Sequence, residues 1–213
     1  TAMKRLRVVV YDCDGVLFDS RQANIAYYNE LLSRFGKPPL SGDALDVVHH
    51  ETVVRSIEYL FRGDPVKDEA LQVIKSIDYR PYFRFMVMEP YLCETLLMIR
   101  PRWWTAVATN RTTTIAPLLK ETGLGEHFDL VVSALDVTNP KPHPEALLRV
   151  AAHFHAEPGQ IVFVGDSHSD QQAAKSAGAL FAAYKNPHLA ADFHISDHRQ
   201  ILHILNAFSK ADF

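Results

Sequence analysis

The chain has 213 residues, 47% of them hydrophobic and 22% charged, with a formal net charge of -3. That composition suits one well-buried domain plus a smaller one, and it excludes a disordered or fibrous chain. It also gives no basic field for nucleic acid or an anionic membrane, no apolar run of roughly 20 residues to cross a bilayer, and only Cys13 and Cys93 for disulfides. The expectation is a cytoplasmic protein with no nucleic-acid or membrane partner. The opening "TAMKRLRVVV" shows no signal-peptide pattern, and Thr1-Ala2 ahead of Met3 reads as an added remnant.

The first predicted strand is "LRVVVYD" (6–12), continuous in apolar residues, as a strand buried on both faces reads. It runs straight into Asp12-Cys13-Asp14-Gly15. Residues 21–89 then lack convincing strands and carry helical patterns at 21–36, 43–61 and 67–86, interrupted at Gly36-Lys37-Pro38-Pro39 and Arg62-Gly63-Asp64-Pro65. A further helix over 89–102 leads back to a second strand, "WTAVATN" (104–110). From there helices (112–124, 143–155, 169–178) alternate with strands (128–134, 160–166, 179–184), two of the helices stopping near Gly123 and Gly178. Strand alternating with helix predicts an α/β, doubly wound (Rossmann-like) parallel sheet core. An inserted all-helical cap domain, 21–89, would divide that core into 1–20 and 90–213.

In such sheets ligands bind beyond the carboxyl ends of the strands. If the predicted strands are neighbours, Asp12, Asp14, Thr109, Lys141, Asp166 and Asp170 converge on one crevice. Asp12 and Asp14 would repel one another there unless a cation or a shared proton offsets them. Several carboxylates with few neutral partners suit a hard, oxygen-liganded cation, most naturally Mg²⁺. One lysine and one hydroxyl remain to hold an anion, an arrangement suited to phosphoryl transfer. The 11 histidines, by contrast, lack the spacing of a zinc site.

Four segments in order carry a family likeness: "DCDGVLFDS", "ATN", "KPHPEAL" and "GDSHSDQQAAKSAG". With them the chain resembles the haloacid dehalogenase-like superfamily, and within it the phosphatases of the phosphoglycolate phosphatase kind. The resemblance implies a Mg²⁺-dependent phosphatase of a small phosphorylated metabolite working through an aspartyl-phosphate. Asp12 would be the nucleophile, and Asp14 the general acid and then base. Thr109, the Asn110 backbone and Lys141 would hold the phosphate. Asp12, the Asp14 backbone carbonyl and Asp166 would bind Mg²⁺, with Asp170 counted in the same metal site and orienting Lys141 or a metal-bound water. The helical insertion resembles the family's cap, expected to close over the site from hinges near Ser20-Arg21 and Glu89-Pro90. Asp14 argues against the dehalogenase reaction, whose enzymes lack that second aspartate. A sugar-phosphate mutase stays open as an alternative, as does a non-catalytic phospho-binding regulatory module. The oligomeric expectation is a monomer or a homodimer.

Other residues read more plainly. Arg111 follows the second motif as a candidate for lining the site, and Arg55, Arg80 and Arg84 could meet an acidic substrate. His49 and His50 lie in the insertion as candidates for substrate contact. His168 reads as a bystander, Asp19 as a local turn or cap partner, and Cys13 as packing.

Overall fold

The computed structural model describes residues 5–100 and 102–209; Thr1-Ala2 and the side chain of His50 lie outside the described residues. The chain divides into two compact units, residues 1–18 with 88–213, and residues 19–87. It leaves the first unit along β2 (Phe18–Asp19) and returns along β3 (Val87–Met88), after β1 (Val8–Tyr11) has been laid down.

The first unit is built on a six-stranded parallel sheet. After β1 it adds α5 (Leu92–Ile99), β4 (Trp104–Ala108), α6 (Ile115–Glu121), β5 (Leu130–Val132) and α7 (Glu145–His153). It then continues with β6 (Ile161–Gly165), α8 (His168–Ala177), β7 (Leu180–Tyr184), β8 (Phe193–Ile195) and α9 (Gln200–Ser209). The strand order is β5-β4-β1-β6-β7-β8, the doubly wound arrangement the sequence pattern implies. β1 sits inside, and all four of its residues are fully buried because both faces are covered. On one face Val8, Val10, Ala106 and Phe163 pack with Leu147 and Val150 of α7 and Ala173 of α8. Register decides the function of this sheet: Tyr11 pairs with Val107 on one side and Val164 on the other. The chain therefore leaves β1, β4 and β6 at one common edge. β8 and α9 were not anticipated. The strand has three residues and carries His194 at its middle, so it lacks an apolar run. The helix does show Ile201, Ile204 and Leu205 at helical spacing, a signal present in the sequence.

The second unit is helical: α1 (Arg21–Arg34), α2 (Ala44–His50), α3 (Val53–Leu60), α4 (Lys67–Ser76) and a 3₁₀ segment at Arg80–Phe85. Its core gathers Tyr27, Leu31, Ile57, Phe61, Ile74 and Tyr79. Two buried hydroxyls are satisfied, Tyr27 donating to the Ile74 carbonyl at 2.7 Å and Tyr79 to Asn24 Oδ1 at 2.6 Å. The helix predicted over 43–61 is two helices. Thr52 is extended and its hydroxyl accepts the Arg55 N–H at 3.3 Å, so it caps a new helix rather than continuing the old one. The helix predicted over 67–86 likewise ends at Ser76, where Ile77 turns extended, and the Arg80-Pro81 start suits a fresh 3₁₀ turn. Asp19, as expected, serves locally, accepting the Arg21 N–H at the start of α1 at 3.1 Å. No described helix is long and apolar enough to cross a membrane.

The two classes of apolar residue should separate cleanly in a stability measurement. Leu147→Ala, in the sheet-facing core, is expected to cost about 2–5 kcal/mol by chemical denaturation. Leu97→Ala, on a side chain 62% exposed, should cost less than about 0.5 kcal/mol.

Candidate active site

Asp12 stands at the end of β1, its N–H still bonded to the Val164 carbonyl at 2.9 Å. The chain then folds back tightly, with Leu17 N–H and Phe18 N–H reaching the Cys13 carbonyl and Gly15 N–H the Phe18 carbonyl. Gly15 sits at φ +75°, and a Cβ there would lie 1.9 Å from Asp166 Oδ2. Only glycine allows both the left-handed turn and that close approach. Cys13 between the two aspartates is fully buried in packing.

Lys141 is the cation of the site. It follows β5 in a proline-rich loop, yet its side chain is 3% exposed and its Nζ lies 2.7 Å from Asp12 Oδ1 and 2.6 Å from Asp170 Oδ1. Burial alone would drive the ammonium toward neutrality. The two carboxylates outweigh it and hold Lys141 above the ordinary lysine value, so it is charged at any working pH. Its backbone is fixed as firmly as its head: the Asn110 side chain donates to the Lys141 carbonyl at 2.9 Å and accepts the Lys141 N–H at 3.0 Å. Asn110 was expected to contribute its backbone; the structure adds this side-chain clasp, which joins two loops 31 residues apart.

Asp170 is completely buried in the first turn of α8. Its Oδ2 accepts Ser167 Oγ at 2.7 Å and the N–H groups of Ser167 and Asp166 at 3.1 and 3.2 Å, while Ser167 caps the helix in return. Gly165 makes room for it, since a Cβ there would lie 2.4 Å from Asp170 Cβ. Asp166, by contrast, has no hydrogen bond or ion pair to its carboxylate among the described residues. Its main chain is held by Asn186, which donates to the Asp166 carbonyl at 2.8 Å.

Thr109 is buried at the end of β4, its N–H on the Val132 carbonyl and its hydroxyl oxygen accepting the Arg111 N–H at 3.1 Å. Arg111 goes further than lining the crevice. Its Nε and Nη2 donate to the two oxygens of Asp14 at 2.8 and 2.7 Å, and Nη1 donates to Thr114 Oγ1 at 3.2 Å. The arginine is 9% exposed at its side chain, and the Asp14 side chain 27%.

The profile of the haloacid dehalogenase-like hydrolases matches residues 9–184, a span that contains all of these residues. The chain belongs to this family. It is 30% identical over 201 residues to phosphoglycolate phosphatase of Salmonella typhimurium, covering 83% of this chain and 80% of the relative. Phosphoglycolate phosphatase 1 of Pseudomonas aeruginosa is 32% identical over 187 residues, covering 83% and 68%. The crystal structure of a HAD-superfamily hydrolase, subfamily IA, variant 1, from Geobacter sulfurreducens PCA superposes with a TM-score of 0.80 at 38% identity, covering 94% and 96%.

Within this hydrolase the carboxylates sort by what they touch. Asp12, Asp166 and Asp170 offer oxygens that all lie within 4.8 Å of one another, and this group contains no histidine. One ammonium faces three carboxylates, and burial together with that imbalance shows in the acidities of Asp12 and Asp166. Burial, then Asp170, pushes the Asp12 carboxyl up to about 7 despite Lys141, and burial with Asp170 and Asp12 pushes Asp166 well above the carboxylate range. An all-oxygen donor set with more carboxylates than ammonium groups fits a hard divalent cation. Asp14 lies outside that group, its carboxylate turned to Arg111. The remaining candidates stand apart in kind. His168 is exposed beside Gln171, Arg80 forks onto Asp78, and Arg84 lies over the Phe85 ring 4.7 Å from its centroid. The Gly15 and Gly165 contacts and the Ser167 cap were not read from the sequence, although each residue is part of a quoted motif.

A carboxyl whose folded pKa lies above its unfolded value destabilises the fold at every pH above both. Asp166→Asn is therefore expected to raise the melting temperature of the metal-free protein at pH 8 by a few degrees, since about 1 kcal/mol moves a domain of this size by about 2–4 °C. The gain should shrink toward pH 4, and calorimetry across that range checks it. A melting temperature that falls at pH 8 would mean that Asp166 has a partner in the fold.

Proposed function

We propose that the chain is a Mg²⁺-dependent phosphatase that hydrolyses a small phosphorylated metabolite through an aspartyl-phosphate on Asp12. The observation that carries the reading is the Lys141 ammonium 2.7 Å from Asp12 Oδ1, at a rim shared with Asp14, Thr109 and Asp166. Lys141 keeps one oxygen of Asp12 oriented, and the other attacks phosphorus. The P–O bond to the substrate alcohol breaks as the P–O bond to Asp12 forms, and the leaving oxygen takes a proton from Asp14. In the second half Asp14 accepts a proton from water as that water's oxygen attacks phosphorus. The bond to Asp12 breaks, and inorganic phosphate leaves with the nucleophile restored.

Thr109 suits the phosphate because its oxygen already accepts the Arg111 N–H, which leaves the hydroxyl hydrogen to donate. Lys141 neutralises charge on the transferred group as well as on the nucleophile. Asp170 spends its oxygens on Lys141 and on the Asp166-Ser167 turn, so its part in the acidic group is to hold both in place. When bound by the Asp12 and Asp166 carboxylates and the Asp14 carbonyl, Mg²⁺ would supply positive charge where the phosphoryl oxygens gather it. The named activity of the relatives supports a phosphate ester of a small acid as the substrate class.

Asp12→Asn is expected to lower turnover of p-nitrophenyl phosphate by on the order of 10³-fold or more while the circular dichroism spectrum stays native. Near wild-type turnover by the purified variant would remove the nucleophile assignment. The raised pKa of Asp12 gives the metal a sign as well. A proton competes for the site below about pH 7, so Mg²⁺ affinity measured by titration calorimetry should weaken as pH falls through that value. Chelation should stop turnover and Ca²⁺ should not restore it, because Ca²⁺ takes more ligands in a looser geometry. Full activity in excess chelator would exclude the metal.

A further inference from the structure

The ion pair between Arg111 and Asp14 has no part in the reaction just described, and it ties up the group that must meet the leaving oxygen. Nε and Nη2 of Arg111 occupy both oxygens of Asp14, and the guanidinium is itself anchored by Nη1 on Thr114. The Arg111 backbone is tied to the Thr109 hydroxyl. An arginine this buried and this well anchored is built into the crevice.

We propose that Arg111 reads an acidic group on the substrate's leaving alcohol and, in doing so, releases Asp14. The inference rests on the reading of Asp14 as the proton donor to the leaving oxygen. If that oxygen stands against Asp14, the first atoms of the alcohol stand within one further contact of the guanidinium, which is 2.7–2.8 Å from Asp14. A carboxylate one or two bonds along the alcohol matches the planar fork as Asp14 does. Exchange of one carboxylate for another on the same fork keeps the guanidinium satisfied throughout, and it lifts the guanidinium from both Asp14 oxygens. A neutral ester offers no such exchange, so Asp14 stays clamped. Discrimination of this kind acts on the chemical step and raises kcat as well as lowering KM.

The test compares 2-phosphoglycolate with ethyl phosphate, which has the same two carbons and no acid, on the wild type, Arg111→Gln and Arg111→Lys. In Arg111→Gln the ratio of the two kcat/KM values should fall by about 10- to 100-fold, the range of a hydrogen bond to a charged group. The kcat for ethyl phosphate should rise as Asp14 is freed. Arg111→Lys, which keeps the charge and loses the fork, should fall between the two and guards against a variant that fails to fold. An unchanged ratio, or equal loss on both esters, overturns the proposal; a fallen ratio without the rise overturns the release of Asp14. Asp14→Asn separates this from failure of the underlying reading. Its kcat/KM, which reports only the steps up to departure of the alcohol and not the second half that both esters share, should fall far more on ethyl phosphate than on p-nitrophenyl phosphate, whose leaving group needs no proton. If kcat/KM falls alike on both, the proton-donor reading fails and the inference with it; if it discriminates and the Arg111 ratio stays put, the inference alone fails.

Discussion

A lysine ammonium held out of water between two carboxylates is the constraint on which the rest of this site depends. Lys141 is buried, and an unpaired ammonium there would cost several kcal/mol. Asp12 and Asp170 remove that cost, and each then needs its own geometry kept. For Asp170 the surroundings are the Ser167 hydroxyl and two backbone N–H groups, with Gly165 supplying the space. For Lys141 they are the two Asn110 hydrogen bonds that pin its backbone. Each of these contacts fixes one end of the chain of groups that sets the ammonium against Asp12.

The sheet makes that cluster reachable. β1 lies between β4 and β6, in a register that aligns Tyr11 with Val107 and Val164, so three strands deliver Asp12, Thr109 and Asp166 to one edge. The strands themselves are apolar because helices cover both faces, which leaves polar chemistry only where the chain steps out of the sheet. The arrangement opposes stability: burial first, and then three carboxylates against one ammonium, push Asp12 and Asp166 upward in pKa. A donor set satisfied within the protein alone would have no affinity left for a cation.

Much of this was legible from the residues. The continuous runs "VVVY" and "IVFVG" marked buried parallel strands, and the acids directly after them marked the sheet edge at which Asp12 and Asp166 gather. Four motifs in order pointed to the family. What escaped reading has a common cause: it depends on contacts between residues far apart or on backbone angles. Nothing local in "ATNR" says that Asn110 clasps Lys141 or that Arg111 reaches back 97 residues to Asp14. The insertion failed differently. Its apolar spacing continued through Thr52 and Ile77, so periodicity alone drew single helices where a cap residue and an extended residue end them. β8 escaped because three residues with a histidine at the centre do not make a pattern.

Four aspartates within one crevice are chemically alike in sequence and unlike in surroundings, and the surroundings assign their capacities. Asp170 accepts from Lys141, from Ser167 and from two main-chain N–H groups, which leaves it no freedom to react. Asp12 accepts Lys141 at Oδ1, which orients the other oxygen as a nucleophile would need. The Asp166 carboxylate has no hydrogen bond or ion pair among the described residues, and it lies in the acidic group with Asp12 and Asp170. Asp14 faces a guanidinium instead of an ammonium, and the difference matters because a planar fork can trade one carboxylate for another without losing either hydrogen bond. A lysine in place of Arg111 would hold Asp14 as a point charge, with no geometry for a substrate acid to compete for. The same side chain that holds Asp14 in the resting chain is thus the one that a substrate acid would have to engage for the proposed discrimination between acids and neutral esters.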